Sequence, residues 1–359
     1  MFCRHGRDHK LCVWRFRVQD EEIFQKTLPV DMSDQPTATS QSHLQTQIQP
    51  WLIHSLMVNA LNFCAFSMLF VSSNERTEQA HHSEENREIS PSSALIAVPN
   101  ALDSGAIDLF HLPSERRVCT IPTDPAVKTG MVMAVKLTRT SASNDLHVAA
   151  AFEDGHVMVF ACRGVFETQK LFADATRRWK WERLYLSRPH SQPVLSIDLV
   201  PSGEYFLSSS ADAVLAKHPV PPFGSAAREM PLKSINTKHA GQQGLRIRSD
   251  GKIFATAGWD SRIRVYSCKT MKELAVLKWH KEGCYAVAFA DLSPADTPTS
   301  ITTEHEAGKD DSDNDEKGMI QHGEFSLAQV QRQRSLKVQN THWLAAGSKD
   351  GKISLWDIY

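Results

Sequence analysis

Residues 349–356 read KDGKISLW. Asp350-Gly351 is a tight-turn pair, and beyond it the apolar Ile353 and Leu355 alternate with polar residues, the period of a half-covered strand. Ahead of the turn, WLAAGS (343–348) is a second short run of apolar and small residues. Together they predict a β-hairpin that closes on an aromatic side chain, Trp356.

The same unit recurs along the chain. RDHKLCVW occupies 7–14, LDSGAIDLF 102–110, EDGHVMVF 153–160, ADAVLAKH 211–218 and WDSRIRVY 259–266. The turn residues are Asp8, Ser104, Asp154, Asp212, Asp260 and Asp350. Six residues later stand Trp14, Phe110, Phe160, His218, Tyr266 and Trp356. The third and fifth residues after each turn are apolar in every copy except at Lys217. One alternating stretch carries little information, but one register kept through all copies defines a repeat.

Each hairpin sits within a longer unit. Runs such as MVMAVKL, PVLSIDLV and CYAVAFA precede the hairpins, and VNALNFCAF is placed in the same slot. Runs such as RRVCTI, RLYLS, MPLKSI and ELAVL follow them. Four strands ending on an aromatic are the arrangement of a β-propeller blade of the WD-repeat type, about 40–45 residues each. The expected fold is an all-β WD-repeat propeller forming a single domain over 1–359. Loop inserts are placed near 17–50, 72–91, 162–182 and 291–340. The remaining residues, about 235, make roughly five and a half blades of an expected seven. The first repeat opens in mid-blade, so the reading expects an N-terminally truncated chain and an incomplete ring.

The sequence resembles the WD-repeat family, with Trp356-Asp357 as its one intact WD dipeptide. The resemblance implies a buried hydrogen-bonded set in each blade. Its members are the turn Asp, a His from the loop before the first strand, a Ser or Thr, and the aromatic. His239, Thr256, Asp260 and Tyr266 occupy those places in one blade. His190, Ser208 and Asp212 fit a second, where His218 departs from the aromatic. With Lys217 in an apolar slot, that blade is expected to be the weakest packed of those complete in the sequence. Asp8, Trp14, Asp154, Asp350 and Trp356 are the corresponding turn and aromatic residues elsewhere. The turn carboxylates are read as buried structural groups, not catalysts.

Composition narrows the function. The 359 residues carry a net charge of −1, with 41% hydrophobic and 23% charged residues. No field of one sign points to nucleic acid or an anionic membrane. The seven cysteines form no CxxC pair, and no signal-peptide pattern precedes them, so free and mostly buried thiols in a reducing compartment are expected. The apolar stretch 51–70 contains His54, Asn59 and Asn62 and lacks basic flanks; two consecutive buried strands fit it better than a membrane span. His81-His82 and the acidic EHEAGKDDSDNDEKG (304–318) read as surface loops. In the latter, Glu316 stands where a calcium loop needs Gly, and His322 where it needs Glu. GQQG (241–244) has no helix pair around it. No Walker loop, HExxH or G-x-S-x-G occurs. The expectation is a protein that is not an enzyme and holds no cofactor or metal.

HGRDHKLCVW (5–14), PWLIHSLMVNALNFCAFSM (50–68), VPNALDSGAIDLFHLPSERR (98–117), AAFEDGHVMVF (150–160) and the run 244–291 resemble the fungal ASTRA-associated protein 1 family. That resemblance covers nearly the whole chain. It implies a nuclear scaffold subunit of the ASTRA complex, present also in the cytoplasm, linked to chromatin remodelling and to maturation of PI3-kinase-like kinases. The implied partners are the Tel/Tti co-chaperone, the kinases themselves and RuvB-like ATPases. The alternatives are a G-protein β-type subunit and a ubiquitin-ligase substrate receptor. The first needs an N-terminal helix for its γ partner, which the sequence lacks. The second commonly carries W-D-x-R, but Trp356-Asp357-Ile358 is followed by Tyr359.

Overall fold

The computed structural model describes residues 2–5, 8–15, 51–59, 64–71, 93–139, 144–166, 179–225, 229–291 and 341–358. Among them there are strands and no helices, and the strands form six antiparallel sheets in chain order. Sheet 1 is β1 (Phe2–His5), β2 (Lys10–Arg15) and β3 (Trp51–Met57). Sheet 2 is β4 (Ser67–Val71), β5 (Ser93–Pro99), β6 (Ile107–Leu112) and β7 (Arg116–Ile121). Sheet 3 is β8 (Val132–Arg139), β9 (Leu146–Phe152), β10 (Val157–Cys162) and β11 (Glu182–Ser187). Sheet 4 is β12 (Val194–Leu199), β13 (Tyr205–Ser210), β14 (Val214–Pro219) and β15 (Lys233–Asn236). Sheet 5 is β16 (Gln242–Ile247), β17 (Ile253–Gly258), β18 (Ile263–Ser267) and β19 (Glu273–Leu277). Sheet 6 is β20 (Cys284–Phe289), β21 (Trp343–Ser348) and β22 (Ile353–Asp357). These are WD-repeat propeller blades, four of them complete. Sheet 1 begins at the second strand of the pattern and sheet 6 ends at the third, in keeping with five and a half blades.

The repeat extends to its irregularities. Where β2, β6, β10 and β18 meet the following strand, the register slips just before the aromatic, at Val13/Trp14, Leu109/Phe110, Val159/Phe160 and Val265/Tyr266. The first strands of sheets 3 to 6 slip near their start, at Val132/Ala134, Val194/Ser196, Gln242/Gly244 and Cys284/Ala286. A bulge at a fixed place bends and twists each sheet in the same way.

The chain divides into two compact units, Met1–Leu199 with Gly203–Ala240, and Val200–Ser202 with Gly241–Tyr359. In each, the core lies between adjacent sheets. In the first unit, Leu95, Leu109 and Ile121 of sheet 2 pack with Val135, Val148 and Met158 of sheet 3. Val157, Val159 and Tyr185 of sheet 3 meet Val194, Ile197 and Phe206 of sheet 4. In the second, Ala255, Ile263 and Val265 pack with Cys284, Val287 and Leu344.

The stretch 51–70 does hold two strands, but they belong to different sheets. Both are edge strands of their sheets, β3 largely exposed and β4 only partly buried, so the expectation holds for the number of strands and not for their burial. The strand placed at VNALNFCAF begins instead at Ser67. No helix of the described residues is long and apolar enough to cross a membrane. The seven cysteines are free, and five are buried. Burial pushes the Cys64 thiol up to about 12 and that of Cys119 to about 11, so neither is a thiolate at neutral pH. His81-His82, the acidic 304–318 and nearly all of the inserts lie outside the described residues.

Candidate functional site

Apart from His190 and His239, which lie in loops ahead of first strands, the polar groups singled out in the sequence fall in the hairpins of the second and third strands. The turn aspartates do one local thing. Asp154, Asp212, Asp260 and Asp350 each accept the backbone N–H two residues on, at 3.1, 2.8, 3.3 and 3.2 Å. This is the Asx-turn geometry that makes Asp favourable at such corners. It also keeps them at the surface: Asp8, Asp260 and Asp350 are exposed and Asp154 and Asp212 only partly covered, which corrects the expectation of buried carboxylates. Asp8 pairs with Arg4 at 3.2 Å.

In sheet 2 the corner is two residues longer. Val98 faces Asp108 and Pro99 faces Ile107, leaving 100–106 to make the turn. Asn100 accepts the N–H groups of Leu102 and Asp103, and Asp103 accepts that of Gly105. Asp103 thus takes the part expected of Ser104. The buried carboxylate of Asp108 receives both an Asn100 amide and the Thr120 hydroxyl.

Sheet 4 carries the most complete network. Tyr185 of β11 bonds His218 Nδ1 at 2.9 Å. His218 Nε2 meets Ser208 Oγ at 2.8 Å, Ser208 meets His190 Nε2 at 2.7 Å, and His190 Nδ1 meets Asp212 at 3.2 Å. Burial pushes the Asp212 carboxyl up, but bonds from His190 and from the amides of Val214 and Ser191 outweigh it and hold it below the ordinary range. An ionised Asp212 only accepts, so His190 donates to it from Nδ1, and the Ser208 hydroxyl links the two imidazoles. His218 is wholly buried and stacked on Phe206 at 4.8 Å. The departure expected to weaken this blade is therefore filled by a hydrogen-bonded ring. Lys217 lies over the Tyr205 ring at 3.5 Å. Asp212, His190 and Ser208 have the order of a hydrolytic triad. Ser208, however, is fully buried and its oxygen is engaged by His218, so it offers no nucleophile to a substrate.

Sheets 5 and 6 use other residues. In sheet 5, Thr256 and Tyr266 are buried, and their hydroxyls are neighbours. Burial pushes the Tyr266 phenol up to about 12. Asp260 is gripped by both terminal nitrogens of Arg264, at 3.1 and 2.6 Å. His239 is exposed on the loop after β15, its backbone against the Thr237 hydroxyl, where the resemblance implied a buried histidine. It stands three residues before its strand, whereas His190 and His280 stand four before theirs. In sheet 6, His280 Nε2 and the Trp356 indole N–H both meet Ser354 Oγ at 2.8 Å. The hydroxyl has changed strands: Ser208 and Thr256 face Ala216 and Arg264, while Ser354 faces Ala346. In sheet 3 the facing pair is Ala150 and Met158, and Asp154 turns to His156 at 2.6 Å. In sheet 1, Trp14 of β2 pairs with Phe2 and Leu52. Tyr185, Arg264, Asp103 and Ser354 were not anticipated. The four-residue spacing of His280 from its strand was the available signal for that group.

The sequence pattern described as "WD domain, G-beta repeat" matches residues 181–215, 231–267 and 338–357. The chain is 62% identical to ASTRA-associated protein 1 of Aspergillus niger over 362 residues, covering 99% of this chain and 80% of that protein. It is 60% identical to the protein of that name from Aspergillus flavus, with the same coverage. The Schizosaccharomyces pombe protein of that name is 33% identical over 80% of this chain and 75% of its own length.

Proposed function

The chain belongs to the ASTRA-associated protein 1 family, and on that premise we propose that it is a non-catalytic WD-repeat scaffold subunit of an ASTRA assembly. The proposed setting is the nucleus, with a share in the cytoplasm. The proposed roles are in chromatin remodelling and in the maturation of PI3-kinase-like kinases. The proposed contacts are the Tel/Tti co-chaperone, those kinases and RuvB-like ATPases.

The observation that carries this reading is the 62% identity to an ASTRA-associated protein 1 across 99% of the chain. The interior agrees with it. The most triad-like constellation, Ser208–His190–Asp212, is sealed into a hairpin and bonded at both ends. A sheet stack stiffened in this way presents loops as fixed surfaces to several proteins together. The test is purification of the tagged endogenous protein followed by mass spectrometry, with fluorescence imaging of the same tag. Co-purifying co-chaperone and kinase subunits and a nuclear signal support the reading. Recovery of cullin-type ligase parts or a G-protein γ chain instead overturns it.

A further inference from the structure

Three loops of the second unit meet at Gly283. The turn between β17 and β18 passes so close that a Cβ on Gly283 would lie 3.1 Å from the Trp259 carbonyl oxygen and 3.4 Å from its Cα. The same point is 3.4 Å from Cε1 of Tyr285. From the turn between β21 and β22, the Lys349 N–H donates to the Gly283 carbonyl at 2.9 Å.

The indole of Trp259 is held in place. It lies on Gly241, at φ +74°, where a Cβ would fall 2.2 Å from Cε3 and 2.3 Å from Cδ2. Its backbone N–H bonds the Gly241 carbonyl at 3.0 Å, and its Nε1–H donates to Gln243 Oε1 at 3.0 Å. One face is covered and the ring N–H is engaged, yet 48% of the residue remains exposed. What it offers is a bare π face, with the exposed Tyr285 beside Gly283. An aromatic pair fixed before binding has little side-chain entropy left to lose. Trp and Tyr also carry a disproportionate share of binding energy at protein interfaces.

Charge selects the ligand. Arg262 lies three residues after Trp259, Lys281 two before Gly283, and Lys349 is bonded to it. Among the described residues no ion pair engages these three cations, whereas Asp260 is tied to Arg264 and Asp350 to Lys352. Asp260 and Asp350 are exposed but already paired, so Glu282 is the one carboxylate of these loops set against the three cations without such a pair among the described residues. The balance repels a cationic ligand from the rings and attracts carboxylates.

We infer that this platform docks an extended acidic segment of a partner protein. An apolar side chain of that segment rests on Trp259 and Tyr285, and its carboxylates meet Arg262, Lys281 and Lys349. The inference deepens the scaffold reading and rests on it only in requiring a protein partner.

The test uses the full chain and three dye-labelled peptides of about ten residues, the length of an extended recognition segment. One alternates Glu with Leu, one Lys with Leu and one Glu with Ser. The Glu/Leu peptide binds, and the other two bind about tenfold or more weakly, as loss of an anchor or of charge complementarity requires. Trp259→Ala lowers its affinity by about tenfold. The Lys281→Glu, Lys349→Glu double variant lowers it similarly and removes most of the salt dependence between about 50 and 500 mM. The double variant changes only exposed side chains, so it decides the matter even where Trp259→Ala fails to fold. Absence of Glu/Leu binding, equal binding of the Lys/Leu peptide, or affinity indifferent to the charge reversal overturns the inference. So does a sedimenting dimer that Trp259→Ala dissociates, which would assign the surface to a second copy. Failure to recover ASTRA subunits from cells would leave the peptide result standing, so the two readings fail separately.

Discussion

His218 stands where the repeat has an aromatic, and its imidazole works there only while neutral. Burial, and then the nearby His190, pull its pKa down to about 3. The unfolded chain would take up that proton near pH 6.5. Between these values the native state binds fewer protons than the unfolded one, so stability falls as pH drops, by about 1.4 kcal/mol per unit at most. The groups facing the ring are Tyr185, Ser208 and His190, with Asp212 beyond. Asp212, depressed in the folded state, adds a loss in the same direction at lower pH. His218→Phe should reduce stability at pH 7.5 by about 1–3 kcal/mol, because the Tyr185 hydroxyl loses its partner. It should also flatten the decline between pH 6.5 and 4.5, read as Tm against pH. An unchanged slope would remove His218 as its source. Arg264 gives a second case. Its guanidinium is nearly buried and Asp260 is its closest counter-charge. Asp260→Ala should cost about 2–3 kcal/mol in denaturant unfolding, less than a fully buried pair because the carboxylate is partly wet.

The hairpins could be read from the chain because everything that defines them is local. The Asp at the corner, the period-two apolar residues and the closing aromatic all lie within eight residues, and the paired strands follow that register. What could not be read was contributed from elsewhere. The longer corner at 100–106 depends on Asn100 and Asp103 bonding successive amides. Arg264 satisfies Asp260 from the third strand, and Tyr185 reaches His218 from the sheet before. Apolar 51–66 carries no Gly or Pro to mark where one strand stops and the next starts, so the pattern places the first strand of sheet 2 at VNALNFCAF, ahead of its start at Ser67. Contact between corners is also testable. Gly155, at φ +94°, lies against the neighbouring sheet so closely that a Cβ would meet the His190 carbonyl oxygen at 2.1 Å. Gly155→Ala should destabilise by about 3 kcal/mol or more, combining an unfavourable φ with a backbone clash. Because the sheet 4 slot is filled by a bonded chain, amides of 205–218 should exchange about as slowly as those of 253–266. Exchange there many times faster would bear out the expectation that Lys217 and His218 weaken this blade.

Burial in these sheets depends on having a neighbour as well as on being apolar. Ile263 and Val265 of β18 are 0% and 3% exposed, beneath β19 and against sheet 6. Ile353 and Leu355 hold the same places in β22, with β21 as their only strand partner among the described residues, and are 69% and 66% exposed. The repeat makes the two hairpins alike and the surroundings make them energetically different. Ile263→Glu should therefore cost about 4 kcal/mol or more and leave little folded protein, since it buries an unpaired charge. Ile353→Glu should stay within about 0.5 kcal/mol of the parent. An exposed apolar edge is also a template for strand pairing between chains. The Ile353→Glu, Leu355→Glu double variant should thus scatter less light at high concentration while melting at an unchanged temperature. If Ile353→Glu proves as damaging as Ile263→Glu, the outer face of β22 is covered in solution.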